Sequence, residues 1–418
     1  MTTLSTLVVS TYLDHSPEPD FTTVVMSFGG SAMPGNIPGN MSGNMPGNMS
    51  DCDSSSPSVG PGSVCVERKG FIDAHEAFTF KLVVEFILQV IILSFGISSN
   101  VVNLVVFARM RLEDSVTIVF FALSISDLGF LTFFLLMRMF SIMSQAFRLG
   151  PTVSMETIAY LLVWYSYMFL DISIITTVFT AVEKCCCVAI PLMFKNVFTR
   201  SRTLIILVCI YVMMFVYYIP TFTSHGLKMT FDPARNRSKY VYSYVAHRLI
   251  VFNIFRMFNR VVLPFVAQVI VLFCMVVMTV KLQQATRKRK EMTSERDADV
   301  TERSTNSRKV NKSKSSADAN KLGGKEMRVV QAVNLVAAIF VACNLPEIVM
   351  TFCNYFFPEF NDFRQYKYLN RVCSSLQELM VVGNAAVNIF VYFNYNSKYR
   401  VEFLLTFRQF FCQRRTRE

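Results

Sequence analysis

The chain is short of charge. Lys, Arg, Asp and Glu make up 17 % of its 418 residues, where about a quarter is usual in soluble proteins. A soluble fold of this length needs more polar surface, which excludes a soluble enzyme. Histidine is scarce as well: His15, His75, His225 and His247 show no metal-ligand spacing. No nucleophile–base pair or metal set points to catalysis. Tryptophan occurs once, at Trp164. The two halves share no internal repeat, which argues against the duplicated plan of many transporters. The first residues, MTTLSTLVVSTYLDHS, lack a basic start and a long apolar run. No cleavable signal peptide is expected, and the first span would act as the insertion signal.

Apolar residues are abundant instead, at 52 % of the chain, and they are clustered. Seven segments, at 82–108, 116–141, 155–189, 203–222, 250–281, 328–356 and 372–394, each exceed or approach the roughly 20 residues that a bilayer span requires. Helices satisfy their own backbone hydrogen bonds in lipid. The expected fold is an all-α membrane protein, a seven-transmembrane helix bundle occupying residues 81–394.

Loop charge sets the expected orientation. Residues 281–328 hold 14 Lys+Arg against 7 Asp+Glu, and 395–418 hold 6 against 2. Residues 1–80 hold 2 basic and 8 acidic residues. The N-terminal tail is thus expected outside and the C-terminal segment in the cytoplasm of a plasma-membrane protein. The formal net charge of +12 then faces anionic lipid rather than nucleic acid. The segment 223–246, expected outside, carries Lys228, Arg235, Arg237 and Lys239 against Asp232.

Residues 34–49 read PGNI-PGNM-SGNM-PGNM, a turn-forming repeat expected to leave the tail 1–80 disordered. Asn40, Asn48 and Asn236 begin glycosylation sequons. Asn311 does too, but it is expected to face the cytosol and stay bare. Residues 285–325 are rich in Lys, Arg, Ser, Thr and Asp and are expected to form a disordered cytoplasmic loop within the bundle domain. Of the cysteines expected outside, the pairing Cys353–Cys373 is favoured, with Cys52–Cys65 in the tail, and cross-pairing stays open. Cys412, in FFCQRR, suits palmitoylation.

Polar residues within spans are costly and mark functional candidates. Asp127, Asn100, Ser173, Asn384 and Asn388 form such a set, able to keep a carboxylate charged or to hold a sodium ion at Asp127. Asp171 is a second buried candidate, on a different face from Ser173.

These residues bring the sequence into register with a known family. It resembles the rhodopsin-like G-protein-coupled receptors: Asn100 in the first span, Leu123 and Asp127 in the second, and Glu183-Lys184-Cys185 ending the third, with Pro191 beyond. Pro264 follows in the fifth, Phe340, Cys343 and Pro346 in the sixth, and Asn388 and Tyr392 in the seventh. Residues 395–418, opened by Lys398-Tyr399-Arg400, resemble the short amphipathic eighth helix and tail of the family. EKCCCVAIPLMFKNVFTRSRT, IPTFTSHGLKMTFDP and CNLP look like the chemosensory receptors of molluscs, and FMRFamide-type neuropeptide receptors are next nearest.

The resemblance implies a receptor for an extracellular small molecule or short peptide that activates a heterotrimeric G protein, with arrestin, receptor kinase and membrane lipid as further partners. Glu183, Lys184, Pro191, Phe340, Pro346, Asn388 and Tyr392 would carry activation and coupling. The pocket would draw on Trp164, Tyr165, Tyr167, Phe252, Arg256, Asn259, Glu347 and Glu378. Arg256 is expected to pair with Glu347 or Glu378. With the basic segment above, an acidic ligand is the chemistry these residues suggest. The departures bear on mechanism. Lys184 replaces an arginine and loses its planar fork. Asn344 replaces the toggle tryptophan, Ile389 the seventh-helix proline, and Ala159 the cysteine that tethers the second outer loop. Val382 in place of the retinal lysine excludes an opsin, and Ser166 in place of an aspartate argues against a monoamine receptor.

Overall fold

Each hydrophobic segment becomes one helix in the computed structural model, which describes residues 72–146, 155–190, 198–232, 237–244, 248–302, 312–360 and 365–415. The helices are α1 (Ala74–Arg109), α2 (Ser115–Ala146), α3 (Met155–Ala189), α4 (Arg200–Thr223), α5 (residues 248–302), α6 (Lys312–Phe356) and α7 (Lys367–Tyr395). All seven contain stretches long and apolar enough to cross a membrane. An eighth helix, α8 (Ser397–Arg415), follows. Many apolar side chains of α4 and α5 are exposed, Met213 and Phe273 most of all, as helices facing lipid rather than water require.

The chain divides into two compact units. The smaller holds the residues up to Lys81 and Met350–Ser374. Within it Asn370 donates to Asn354 Oδ1 and to the Phe360 carbonyl, both at 2.7 Å. Cys353 and Cys373 also lie there as free thiols, close enough to interact electrostatically but without the expected S–S bond. The larger unit, Leu82–Val349 with Ser375–Glu418, is built around α3, which packs against α2, α4 and α5. Its core includes Tyr160, Trp164, Met168 and Ile172 of α3 with Phe120, Leu123, Phe130 and Leu131 of α2. At Gly96 an added Cβ would lie 2.9 Å from Ala386 Cβ, so only glycine lets α1 approach α7 this closely.

Two helices are locally widened. α1 is a π-helix over Leu82–Leu88 and α5 over Phe258–Val262. Such turns shift the helical phase and gather at functional positions. α7 is interrupted at Val387, between Lys367–Ala386 and Asn388–Tyr395, although no proline is present. The cause lies in α1. Ser99 donates to the Ala386 carbonyl at 3.2 Å and Asn100 to the Ala385 carbonyl at 2.9 Å. These carbonyls would otherwise accept the amides four residues on. Phe390 N–H bonds Val387 O instead, one residue short of helical spacing.

The expected seven-helix bundle stands, with two local additions. The all-α bundle carries a β-hairpin, β1 (His225–Asp232) against β2 (Arg237–Tyr244), antiparallel with His225 opposite Tyr244 and Asp232 opposite Arg237. Alternation of Leu227, Met229 and Phe231 with Lys228 and Thr230 is the period-2 pattern that favours a strand. The segment 285–325 is helical to Glu302 and again from Lys312, because Lys, Arg and Glu extend a helix readily even without a buried face. Residues 303–311 lie outside those described, as do Asn40, Asn48, Asn236 and Pro191. Cys412 falls within α8, but its side chain is likewise outside the description.

Candidate functional site

The buried polar residues fall into three clusters. The first joins α1, α2, α3, α7 and α8. Asp127, 2 % exposed, accepts Ser173 Oγ at 2.6 Å on one oxygen and Asn388 Nδ2 at 2.8 Å on the other. A buried carboxylate satisfied on both oxygens by charge-assisted bonds is strongly held. Asn100, expected in the same network, instead bonds the backbone of α1 and α7. Asn384 is half-buried and makes none of these bonds. Asn103 donates to Asn100 Oδ1 at 3.4 Å and accepts the Tyr399 hydroxyl of α8 at 2.6 Å. Burial pushes the Tyr399 phenol up, so it stays a donor. Phe107, Phe120, Tyr392 and Tyr399 pack around this link in tilted and edge-on ring contacts. Asp127, the Ser173 hydroxyl and the Asn388 amide oxygen fit a monovalent cation by donor type, the hydroxyl and amide turning to present oxygen.

The second cluster lies at the other end of α3. The hairpin has no disulfide to α3, since Ala159 is buried where a tethering cysteine would stand. His225 fills that role. Its Nδ1 donates to the Thr221 carbonyl at 2.5 Å and its Nε2 accepts from the Tyr160 hydroxyl at 3.1 Å, the tautomer these partners imply. The imidazole also lies 5.2 Å from the Trp164 ring. Trp164 packs edge-on to Tyr167, Phe252 and Phe255. Nothing in the local sequence around His225 marks it for this role.

The third cluster is charged. Arg260 lies 3.8 Å over the Tyr167 ring and 3.4 Å from Glu347 Oε1. Asn259 donates to Asp171 Oδ2 at 2.7 Å, and the Tyr218 hydroxyl donates to the same oxygen at 2.5 Å. Arg138 of α2 bridges Glu85 of α1 at 3.1 Å and Glu378 of α7 in a shorter contact. Ser375 donates to Glu85 at 2.7 Å.

The structure therefore gathers Trp164, Tyr167, Phe252, Asn259, Glu347 and Glu378 into these clusters. Tyr165 turns away. It is 39 % exposed and stacks on Phe133 of α2 and Phe222 of α4, because it sits one position, or about 100°, round the helix from Trp164. The side chain of Arg256 lies outside those described. Its expected pairing therefore lies outside the description too; Glu347 also contacts Arg260 and Glu378 contacts Arg138.

At the end of α3 near α8, Lys184 pairs with Glu183 Oε1 at 2.8 Å, and Ser115 of α2 donates to the same oxygen at 2.8 Å. Phe340 is buried in α6, and Pro346 lies within that helix. Two side chains tend the backbone there. Asn344 donates to the Phe340 carbonyl at 2.8 Å and Gln268 of α5 to the Val341 carbonyl at 2.9 Å, next to the carbonyl that Pro346 leaves without an amide.

Seven helices, motif residues in all of them but α4, and a polar core between α2, α3 and α7 define a seven-helix receptor. The seven-transmembrane receptor family of rhodopsin matches residues 99–392, and the chain belongs to that family. No individual curated protein matches it.

Proposed function

We propose that the chain is a chemosensory receptor of the plasma membrane, N-terminus outside, that binds a small molecule or short peptide and activates a heterotrimeric G protein. Ligand binding shifts an equilibrium between two packings of the bundle. α6 pivots near Pro346, and the ends of α3, α5 and α6 beside α8 open to the G protein. The basic flanks of α5 and α6 face anionic lipid and that partner, with arrestin and a receptor kinase acting on the same surface. A sodium ion at Asp127 would favour the closed packing by holding α2, α3 and α7 together.

The observation that carries this reading is the Lys184–Glu183–Ser115 contact. Lysine in place of arginine still has its buried carboxylate partner, so the closed state retains a charge pair that opening can release. A decoy that no longer couples would have no reason to keep it. The test is G-protein activation in cells expressing the chain, with a mixed reporter panel and pools of amino acids, small acids, amines and short peptides. A response abolished by Lys184→Ala and kept or raised by Lys184→Arg supports the receptor. Basal signalling in Lys184→Arg with none in the native chain would favour the decoy.

A further inference from the structure

Near its end beside α8, α3 reads Glu183-Lys184-Cys185-Cys186-Cys187. Glu183 and Lys184 pair with each other. Cys185 turns to a different neighbour. It is buried, and its sulfur accepts a hydrogen bond from the thiol of Cys274 on α5, also buried. The helices dictate this meeting. On α5 the buried residues Ala267, Val271, Cys274 and Met278 recur every three or four positions, which marks one face of a helix, and α5 packs on α3. On α3 the buried Ala181 and Cys185 lie four positions apart, one above the other. Both thiols are free. Cys186 is partly buried and close enough to both to interact electrostatically. Alanine or valine could fill the same contact. What cysteine adds is that two touching sulfurs can share a covalent bond, and facing side chains meet the demand of a disulfide that the two Cβ vectors point at each other.

We propose that Cys185 and Cys274 are a redox pair, which a hydroperoxide joins into a disulfide tying α3 to α5 at their ends beside α8. One thiol gives up its proton and attacks the peroxide O–O bond, which breaks to leave a sulfenic acid and one water or alcohol. The sulfur of the other thiol then displaces the sulfenic hydroxyl, which leaves with that thiol's proton as water. Two electrons pass from the sulfurs to the peroxide, and one S–S bond forms. A small thiol reverses it by exchange through a mixed disulfide. Disulfides on the cytosolic side are usually transient and redox-sensing, which suits a switch rather than a staple. The effect on signalling rests on the receptor reading above: opening parts the ends of α3, α5 and α6, and a covalent bond between α3 and α5 opposes it. Oxidation thus holds the closed packing.

The test uses the full chain in nanodiscs with no G protein. The reduced receptor is titrated with hydrogen peroxide, its remaining thiols are alkylated, and the digest is read by mass spectrometry. Cys185, Cys186 and Cys187 share one stretch of sequence, so the native chain is compared with the double variant Cys186→Ser, Cys187→Ser. Both are expected to yield a peptide pair linked through Cys185 and Cys274, lighter by two hydrogens than its reduced halves and lost on treatment with dithiothreitol. Hydrogen exchange at the ends of α3 and α5 beside α8 is expected to slow severalfold on oxidation, and not in Cys185→Ala or Cys274→Ala. Cys274 that stays open to alkylation after peroxide, or that links to Cys186 in place of Cys185, overturns the pair. A proven disulfide that leaves exchange unchanged overturns the tie between the helices. In the coupling assay above, peroxide is expected to lower the response of the native chain severalfold and to spare Cys274→Ala. A chain that never couples refutes the receptor reading and leaves the mass shift and the exchange to decide the pair.

Discussion

Replacing Ile389 by proline tests the account of the broken seventh helix. Proline inside a helix costs about 3 kcal/mol, because it removes one hydrogen bond and its ring strikes the carbonyl four residues back. Neither loss applies fully at 389. The residue is second in the helical segment Asn388–Tyr395, and proline is tolerated in a first turn, where the amide lacks a helical acceptor. The carbonyl four residues back is that of Ala385, already taken by Asn100. Ile389→Pro is therefore expected to cost about 1 kcal/mol or less. Leu379→Pro, in the unbroken segment Lys367–Ala386, is expected to cost about 3 kcal/mol or more. At about 1–2 °C per kcal/mol for a chain of this size, the control lowers Tm by roughly 3–6 °C and Ile389→Pro by under about 2 °C. The assay is a thermal melt of purified receptor in nanodiscs, both variants scanned at one rate. Equal losses would refute the claim that Ser99 and Asn100 already impose the break.

Arg138→Ala leaves Glu85 and Glu378 facing each other without their shared cation, and truncating a buried ion partner costs about 3–5 kcal/mol; a melt should show a larger loss than for Arg138→Lys. His225→Ala removes the hairpin's bonds to Thr221 and Tyr160, so limited proteolysis should cut the 225–244 segment faster while the melt moves little. Burial alone would raise the Asp114 carboxyl, but its bonds to Thr117 and the nearby Lys398 outweigh burial and hold it below the usual carboxylate range. Its folded value is depressed, so its contribution is present above the ordinary aspartate value of about 3.9 and is lost as pH falls through the lowered one. Hydrogen exchange at the start of α2 should therefore rise on acidification, and Asp114→Ala should abolish that pH dependence.

Hydropathy made the seven spans readable, because each span is a local run whose length the bilayer fixes. Asp127 was readable for a related reason: an ionisable residue inside such a run must find partners, and Ser173 and Asn388 were the donors at hand. The hairpin was written in the alternation of Leu227, Met229 and Phe231, yet its basic charge drew attention from its period. Arg138 and Arg260 were not readable. Each was one charge near a span, and its worth depends on carboxylates 240 and 87 residues away in sequence. The π turns deepen this opacity. They rotate Glu85, Asn259 and Arg260 relative to a regular helix, so a wheel drawn at 3.6 residues per turn misplaces all three.

The missing residues of the family pattern show the same separation between local sign and tertiary cause. Ile389 in place of proline reads as a helix that should run straight, but α7 is broken by side chains of α1. Ala159 in place of cysteine reads as a loose outer hairpin, but His225 ties it to Tyr160 and Thr221. Asn344 in place of tryptophan reads as a lost switch, yet it and Gln268 bond the α6 backbone beside Pro346. In each case the consequence usually ascribed to one residue is supplied by polar groups from another helix. A departure from a motif thus removes one way of making a bend or a tether; whether the feature itself goes depends on what the neighbouring helices place against the same backbone.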